Sequence, residues 1–197
     1  MVCRGIGMKL TIGSLFAGVG GFDAGFRRAG FDTRWCVEWD EKAQSVLRRH
    51  FQEAKIFGDV TKVTADDLGY VDVVTYGFPC QDVSVAGKRA GMTGKTRSGL
   101  FYEATRLICE LNPRFCLFEN VPGLLSSNEG RDFGNALREL AQIGYGTTHY
   151  WTLDSQWFGV AQRRRRVFGL SSRKVEPDFA VRCAEAIQAV SEGLRGF

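Results

Sequence analysis

Lys9-Leu10-Thr11-Ile12-Gly13-Ser14-Leu15-Phe16-Ala17-Gly18-Val19-Gly20-Gly21-Phe22-Asp23 is the stretch whose reading decides the fold. Lys9 to Leu15 has the length and composition of a buried strand. Phe16 to Gly21 then places three glycines in six residues, a turn whose backbone can adopt conformations closed to other residues. A helix follows, with Phe22, Phe26 and Ala29 predicted on one face. Strand, glycine turn and helix in succession form the opening unit of a doubly wound α/β sheet.

Outward from that unit, apolar runs of strand length alternate with segments of helical period. Arg34 to Val37 reads as a second strand, Asp40 to Phe51 as a helix with Ala43, Val46 and Leu47 inward, and Lys55 to Phe57 as a third strand. Asp40 has the side chain of an N-cap. Val71 to Thr75 is predicted as a buried fourth strand, and Gly77 to Ser98 as a long loop of the kind that carries function. Then come a helix over Gly99 to Leu111, a fifth strand over Phe115 to Phe118, and a helix over Arg131 to Ile143 with Phe133, Leu137, Leu140 and Ala141 inward. Strands near Thr147 to Leu153 and Arg166 to Leu170 follow, and the tail from Asp178 puts Cys183, Ile187, Val190 and Leu194 on one helical face. The expectation is a mostly parallel central sheet flanked by helices, in a catalytic unit over residues 1–171 and a linker with one helix over 172–197.

Composition bounds what such a domain can be. The 197 residues are 44% hydrophobic and 24% charged, which excludes collagen, coiled coil and wholesale disorder. No apolar run approaches the ~20 residues of a membrane span, and the N-terminus lacks the sections of a secretory signal, so a cytoplasmic protein with no membrane partner is expected. The net charge of +4 is too small to diagnose a polyanionic partner. Its distribution is more informative, because Lys88, Arg89, Lys95 and Arg97 stand together without an acid, as do Arg163 to Arg166 with Arg173 and Lys174. Each run fits either a solvated surface or a nucleic-acid contact. The cysteines at positions 3, 36, 80, 109, 116 and 183 form no Cys-x-x-Cys pair, so no metal is expected.

The first turn departs from the Gly-x-Gly-x-x-Gly nucleotide fingerprint, with Asp23 where the last glycine would be. Glu38, an acid about 20 residues further on at the end of the second strand, is placed to hold ribose hydroxyls. Trp39 offers a face to a flat base and Asp59 an acceptor to an exocyclic amine, though both also fit a packed aromatic and a helix cap. An acid beside the turn disfavours a pyrophosphate, which suits a nucleoside with a cationic tail such as S-adenosylmethionine.

Gly77-Phe78-Pro79-Cys80-Gln81 follows the fourth strand, at the edge where open α/β sheets bind ligands. A free thiol with a pKa of about 8.5 is a few per cent thiolate at neutral pH, and Lys88 and Arg89 are candidates to raise that fraction. His50 and His149 stand far from Cys80 in the predicted layout, which disfavours a Cys-His hydrolase. Conjugate addition to a pyrimidine suits an unassisted cysteine better, and it needs an acid at the ring nitrogen. Glu119, at the end of the fifth strand, is brought to the same edge. Proton donation by Glu119 at neutral pH requires burial that raises its pKa to about 6 or 7. The other reading pairs it with the arginines at 164 to 166.

Six segments, taken in order, give the chain a resemblance to the catalytic half of a cytosine carbon-5 DNA methyltransferase. They are Ser14 to Phe22, Val37-Glu38-Trp39-Asp40, Gly58-Asp59-Val60, Gly77 to Gln81, Phe118-Glu119-Asn120-Val121 and Gln162 to Arg166. The resemblance implies the Rossmann-like fold of S-adenosylmethionine-dependent methyltransferases. It also implies that the cofactor lies over the turn of Ala17, Gly18, Gly20 and Gly21, with Phe16 against the adenine, Glu38 on the ribose and Asp59 at the adenine amine. Trp39, Val60, Gly77, Pro79 and Leu100 would complete that pocket. On the side of double-stranded DNA, a flipped cytosine would meet Cys80 at carbon 6, Glu119 at ring nitrogen 3 and Arg164 at its oxygen. Gln81, Ser84, Lys88, Arg89, Asn120, Gln162 and Arg166 are assigned to the same substrate, and Arg163 and Arg165 depart from the family pattern by adding charge suited to phosphates. Two other readings accompany this one, an inactive relative that only binds cofactor or nucleic acid and a transfer-RNA methyltransferase. The family's usual target-recognition region is not seen after Leu170, so a second chain supplying recognition is a further expectation.

Overall fold

A computed structural model describes residues 9–78 and 99–173. Strand β1 (Thr11–Leu15) leads through the glycine turn into α1 (Gly21–Arg28), followed by β2 (Asp32–Val37), α2 (Glu41–His50) and β3 (Lys55–Phe57). A short α3 (Ala65–Leu68) precedes β4 (Val73–Tyr76), and α4 (Gly99–Leu111) precedes β5 (Phe115–Asn120). Two 3₁₀ turns, α5 (Arg131–Gln142), β6 (Thr147–Asp154), a third 3₁₀ turn at Ser155–Phe158 and β7 (Arg165–Ser172) complete the order. The seven strands form one sheet in the order β3-β2-β1-β4-β5-β7-β6. Pairs among β1 to β5 are parallel, and β7 is antiparallel to both β5 and β6.

That order reverses direction between β1 and β4. Strands β1 to β3 wind one way, β4 and β5 the other, and the carboxyl ends of β1 and β4 flank the crevice where such sheets take ligands. Helix α2 starts where Asp40 accepts from the Ala43 amide at 2.8 Å, and it places Arg48, Arg49 and His50 in its last turn, where positive charge suits the helix dipole. Helix α3 was not read from the sequence, although Thr64 and Asp67 form a reciprocal capping box at its start.

The larger core fills one face of the sheet, with Trp35, Val74, Tyr76 and Phe118 from the strands against Phe101, Leu107 and Ile108 of α4 and Phe133 and Leu140 of α5. Cys36, Leu47 and Phe51 form a smaller cluster where α2 packs. Gly13 and Gly169 are close approaches, since a Cβ would lie 2.2 Å from the Trp35 ring at the first and 2.1 Å from the Phe118 ring at the second.

Several expectations shift. Ala29 is the exposed C-cap of α1, and the buried residue of that helix is Asp23. Ala141 is exposed and Ala136 takes the inward position on α5. Strand β4 begins at Val73 and includes Tyr76, while β5 continues to Asn120, so Glu119 and Asn120 lie within the strand. The predicted loop beyond Phe78, with Pro79, Cys80, Gln81, Ser84, Lys88 and Arg89, and the predicted tail helix lie outside the described residues.

Candidate active site

The parallel strands deliver their C-terminal residues to one edge. Phe16 follows β1, Glu38 follows β2, Asp59 follows β3 by two residues, Gly77 follows β4, and Glu119 lies at the end of β5. Because β7 runs the other way, its beginning is at this edge, and Gln162 to Arg166 arrive beside Glu119.

The turn after β1 is built on left-handed backbone, at φ 56° for Phe16, 56° for Gly18 and 85° for Gly20. An aromatic residue in that region is strained, a condition that clusters at ligand sites. Gly20 caps α1, and a Cβ there would lie 2.5 Å from the Phe51 ring. At Gly18 and Gly21 an added Cβ would meet nothing within 4 Å, so the backbone there is open to a ligand. Glu38 fixes the turn from the side, its Oε2 accepting the Gly18 amide at 2.6 Å and its Oε1 the Asp40 amide at 2.9 Å. Beside it Trp39 is 75% exposed, an aromatic face turned to solvent. Asp59 accepts from the backbone and hydroxyl of Thr61 at 3.0 and 2.7 Å. The Thr61 hydroxyl is the chief cause that holds its carboxyl below the ordinary value, as an acceptor. Val60 is buried behind it, and Leu100 packs partly buried on the core. Ala17 donates its amide to the Val37 carbonyl at 3.1 Å, which joins the turn to β2.

At the other side of the crevice, Glu119 Oε1 is ion-paired with Arg166 Nε at 2.7 Å and has Arg164 Nη2 at 3.9 Å. Its side chain is 26% exposed, so it sits at the edge between two arginines and is not enclosed in an apolar pocket. A Cβ on Gly77 would lie 3.6 Å from Glu119 Oε2, which puts the chain entering the Cys80 loop against this carboxylate. Asn120 is buried, donating its amide to the Phe78 carbonyl at 2.8 Å and accepting from the Val121 amide at 2.8 Å. It therefore holds the start of that loop. Gln162, Arg163, Arg164 and Arg165 are exposed.

Two contributors escaped the reading of the sequence. Asp154 accepts the Arg164 amide at 3.0 Å and caps the preceding 3₁₀ turn, so it sets where the arginine run begins. Asp23 does not face the ligand side of the turn, as the argument against a pyrophosphate required. It points into the sheet, bonded to Ser14. Among the described residues no cluster of three or more His, Cys, Asp and Glu could hold a metal ion, and no helix is long and apolar enough to cross a membrane.

A doubly wound sheet with one reversed strand, and a glycine turn answered by an acid at the end of β2, define the Rossmann-like fold of S-adenosylmethionine-dependent methyltransferases. Residues 10–190 match the family described as C-5 cytosine-specific DNA methylase, and the chain belongs to that family. It is 37% identical over 161 residues to the type II methyltransferase M.BsuFI of Bacillus subtilis, covering 82% of this chain and 39% of that protein. It is 36% identical over 169 residues to M.Bsp6I of Bacillus sp. (strain RFL6), covering 85% and 53%. Among solved structures, a protein described as a DNA modification methyltransferase encoded within an E. coli prophage superposes with a TM-score of 0.69 at 27% identity, over 83% of this chain and 47% of the other. Spodoptera frugiperda DNMT2 gives the same TM-score of 0.69 at 22% identity, a likeness of fold. The chain spans about half the length of the curated relatives it matches.

Proposed function

We propose that this chain carries the catalytic centre of a restriction-modification methyltransferase that moves a methyl group from S-adenosylmethionine to carbon 5 of cytosine in double-stranded DNA. The observation that carries the proposal is Glu119 at the sheet's carboxyl edge, flanked by Arg164 and Arg166 and beside Gly77, three residues before Cys80.

The residues present fit the cofactor. Open backbone at Gly18 and Gly21, a carboxylate at Glu38, an exposed ring at Trp39 and an anionic acceptor at Asp59 match a turn-bound sugar, a flat base and an amine. Phe16, Ala17, Gly20, Val60, Gly77, Pro79 and Leu100 complete the binding set, and the bound group supplies an electrophilic methyl. A flipped cytosine meets the chain's own groups in turn. The Cys80 thiolate forms a bond to carbon 6, while Glu119 gives a proton to ring nitrogen 3 and accepts from the exocyclic amine, and Arg164 donates to the carbonyl oxygen on carbon 2. Electron density moved to carbon 5 would form the new carbon–carbon bond as the methyl–sulfonium bond breaks and the thioether leaves; a water then takes the carbon 5 proton, and the electron pair it leaves expels the Cys80 thiolate and restores the ring. Arg166 keeps Glu119 in place. Gln81, Ser84, Lys88, Arg89 and Gln162 line the DNA side, Asn120 secures the loop from beneath, and Arg163 and Arg165 meet backbone phosphates. Target recognition falls to polypeptide outside the span shared with the relatives, supplied on this chain or by a second one. Work in the cytoplasm follows from this role.

Labelled methyl transfer from S-adenosylmethionine to duplex DNA and to transfer RNA, with Cys80→Ala beside the wild type, tests the proposal. Transfer to DNA that the variant abolishes, with cofactor affinity kept, is the expected result. Transfer by Cys80→Ala, or transfer to RNA alone, would overturn it.

A further inference from the structure

Asp23 lies in the first turn of α1 and is 0% exposed. It occupies the place of the fingerprint's last glycine, which in that motif lets helix and strand pack closely. A carboxyl group stands here instead, and it reaches across to the strands. Its Oδ1 accepts from the Ser14 hydroxyl at 2.8 Å and from the Cys36 thiol at 3.6 Å. Ser14 Oγ also lies 2.8 Å from Thr75 Oγ1. A hydroxyl has one proton, so with Ser14 donating to Asp23 it is Thr75 that donates to Ser14, and the chain of bonds runs from β4 through β1 to α1. Asp23 Oδ2 has no hydrogen-bond partner, a buried deficit that the rest of the fold must offset.

The three strand residues share one level. Ser14 is in register with Cys36 on β2 and with Thr75 on β4. Two residues further along the same strands come Phe16, Glu38 and Gly77. These three follow the strand ends directly, so the Asp23 level is the last but one strand level before the residues that form the site.

We propose that Asp23 is a positioning residue, which by gripping Ser14 and Cys36 fixes the Gly18–Gly21 turn over the β1–β4 crevice so that the Gly18 amide meets Glu38 before any ligand arrives. That the turn then receives S-adenosylmethionine rests on the function proposed above; the anchoring does not. Burial raises the Asp23 carboxyl from its ordinary value of 3.8, against the lowering by Ser14, its own backbone amide, Cys36 and the Thr33 hydroxyl. Burial also raises the Cys36 thiol, which keeps its proton available to Asp23.

The test uses the full chain with Asp23→Ala, Asp23→Asn and Ser14→Ala, read by amide hydrogen exchange and by calorimetric titration with S-adenosylmethionine. In Asp23→Ala and Ser14→Ala the amides of Ala17, Gly20 and Ala24 should lose protection by about tenfold while Leu107 and Ile108 in α4 keep theirs, with cofactor affinity down about tenfold. Asp23→Asn, whose amide oxygen still accepts from Ser14, should stay within about threefold of the wild type. Unchanged protection of the turn in both deletions overturns the anchoring. A uniform loss through α4 in Ser14→Ala does the same, since it marks a general packing role. A wild-type chain without affinity for S-adenosylmethionine refutes the cofactor reading, and the exchange pattern then decides the anchor alone.

Discussion

Gly20→Ala and Gly21→Ala, two neighbouring one-methyl changes, should fail in different ways. At Gly20 the backbone has φ 85°, and an L side chain in that region costs about 1–2 kcal/mol. The new Cβ would also lie 2.5 Å from the Phe51 ring and 3.0 Å from a Leu47 methyl, both of them buried in the small cluster against α2. Overpacking of that kind costs about 1–3 kcal/mol, so the sum is roughly 2–5 kcal/mol in a protein whose total stability is of the order of 5–15 kcal/mol. Gly21 has neither liability, being the first residue of α1 with nothing within 4 Å of an added Cβ, and alanine there is neutral or stabilising by up to about 1 kcal/mol. Urea unfolding followed by tryptophan fluorescence reads the first effect, and titration with S-adenosylmethionine reads the second. Gly20→Ala is expected to lower the unfolding midpoint sharply, whereas Gly21→Ala keeps the midpoint and loses cofactor affinity. A Gly20→Ala protein as stable as the wild type would refute the packing argument. Undiminished affinity in Gly21→Ala would show that no ligand lies on the turn.

Glu38→Ala removes the acceptor of the Gly18 and Asp40 amides and should weaken cofactor binding in the same titration; an unchanged affinity would cancel its ribose role. Asn120→Ala leaves the buried Phe78 carbonyl without its donor, so the unfolding free energy should fall by about 1–3 kcal/mol, and an unmoved urea midpoint would count against the clamp. Because Asp23 has a folded pKa raised above 3.8, its contribution to stability is complete below the unfolded pKa and is lost as pH rises through the folded one. Wild type should therefore lose ground to Asp23→Asn in urea midpoints measured from pH 4 upward, and a difference that moves the other way would contradict the upward shift of this buried carboxyl. Arg163→Gln with Arg165→Gln should reduce the slope of log affinity against log salt for duplex DNA by about 1.8, from roughly 0.9 for each phosphate contact. A slope equal to that of the wild type would leave both arginines as solvated surface.

Local patterning made much of this architecture readable. Helix Gly99–Leu111 and strand Lys55–Phe57 have the bounds their composition predicts, and Asp40 caps as expected. The positions of Glu38 and Glu119 at one edge followed from strand ends and a parallel sheet. The reversal of β7 was not legible, since nothing in Arg165–Ser172 distinguishes a parallel from an antiparallel strand. Helical faces were misread where a small residue ends a helix, because Ala29 and Ala141 fit the apolar period yet lie where the helix turns out to solvent. Asp23 was misjudged for a different reason. An acid after a glycine turn reads as exposed unless its partners are known, and Ser14, Cys36 and Thr75 become its neighbours only when three strands are aligned.

The single reversed strand also governs what can be attached to this domain. Because β7 begins beside Glu119 and ends seven residues later at Ser172, the backbone leaves the sheet on the edge opposite the one where DNA would lie. At about 3.3 Å per residue that separation is roughly 23 Å. Any segment joined after β7 must return across a face of the sheet before it can add a side chain to the site, taking about 7 extended residues or about 15 helical ones. A label or fused domain placed directly after β7 would start on the edge remote from Glu119, whereas the same addition in the Ser155–Phe158 turn would start on the edge where Glu119 lies.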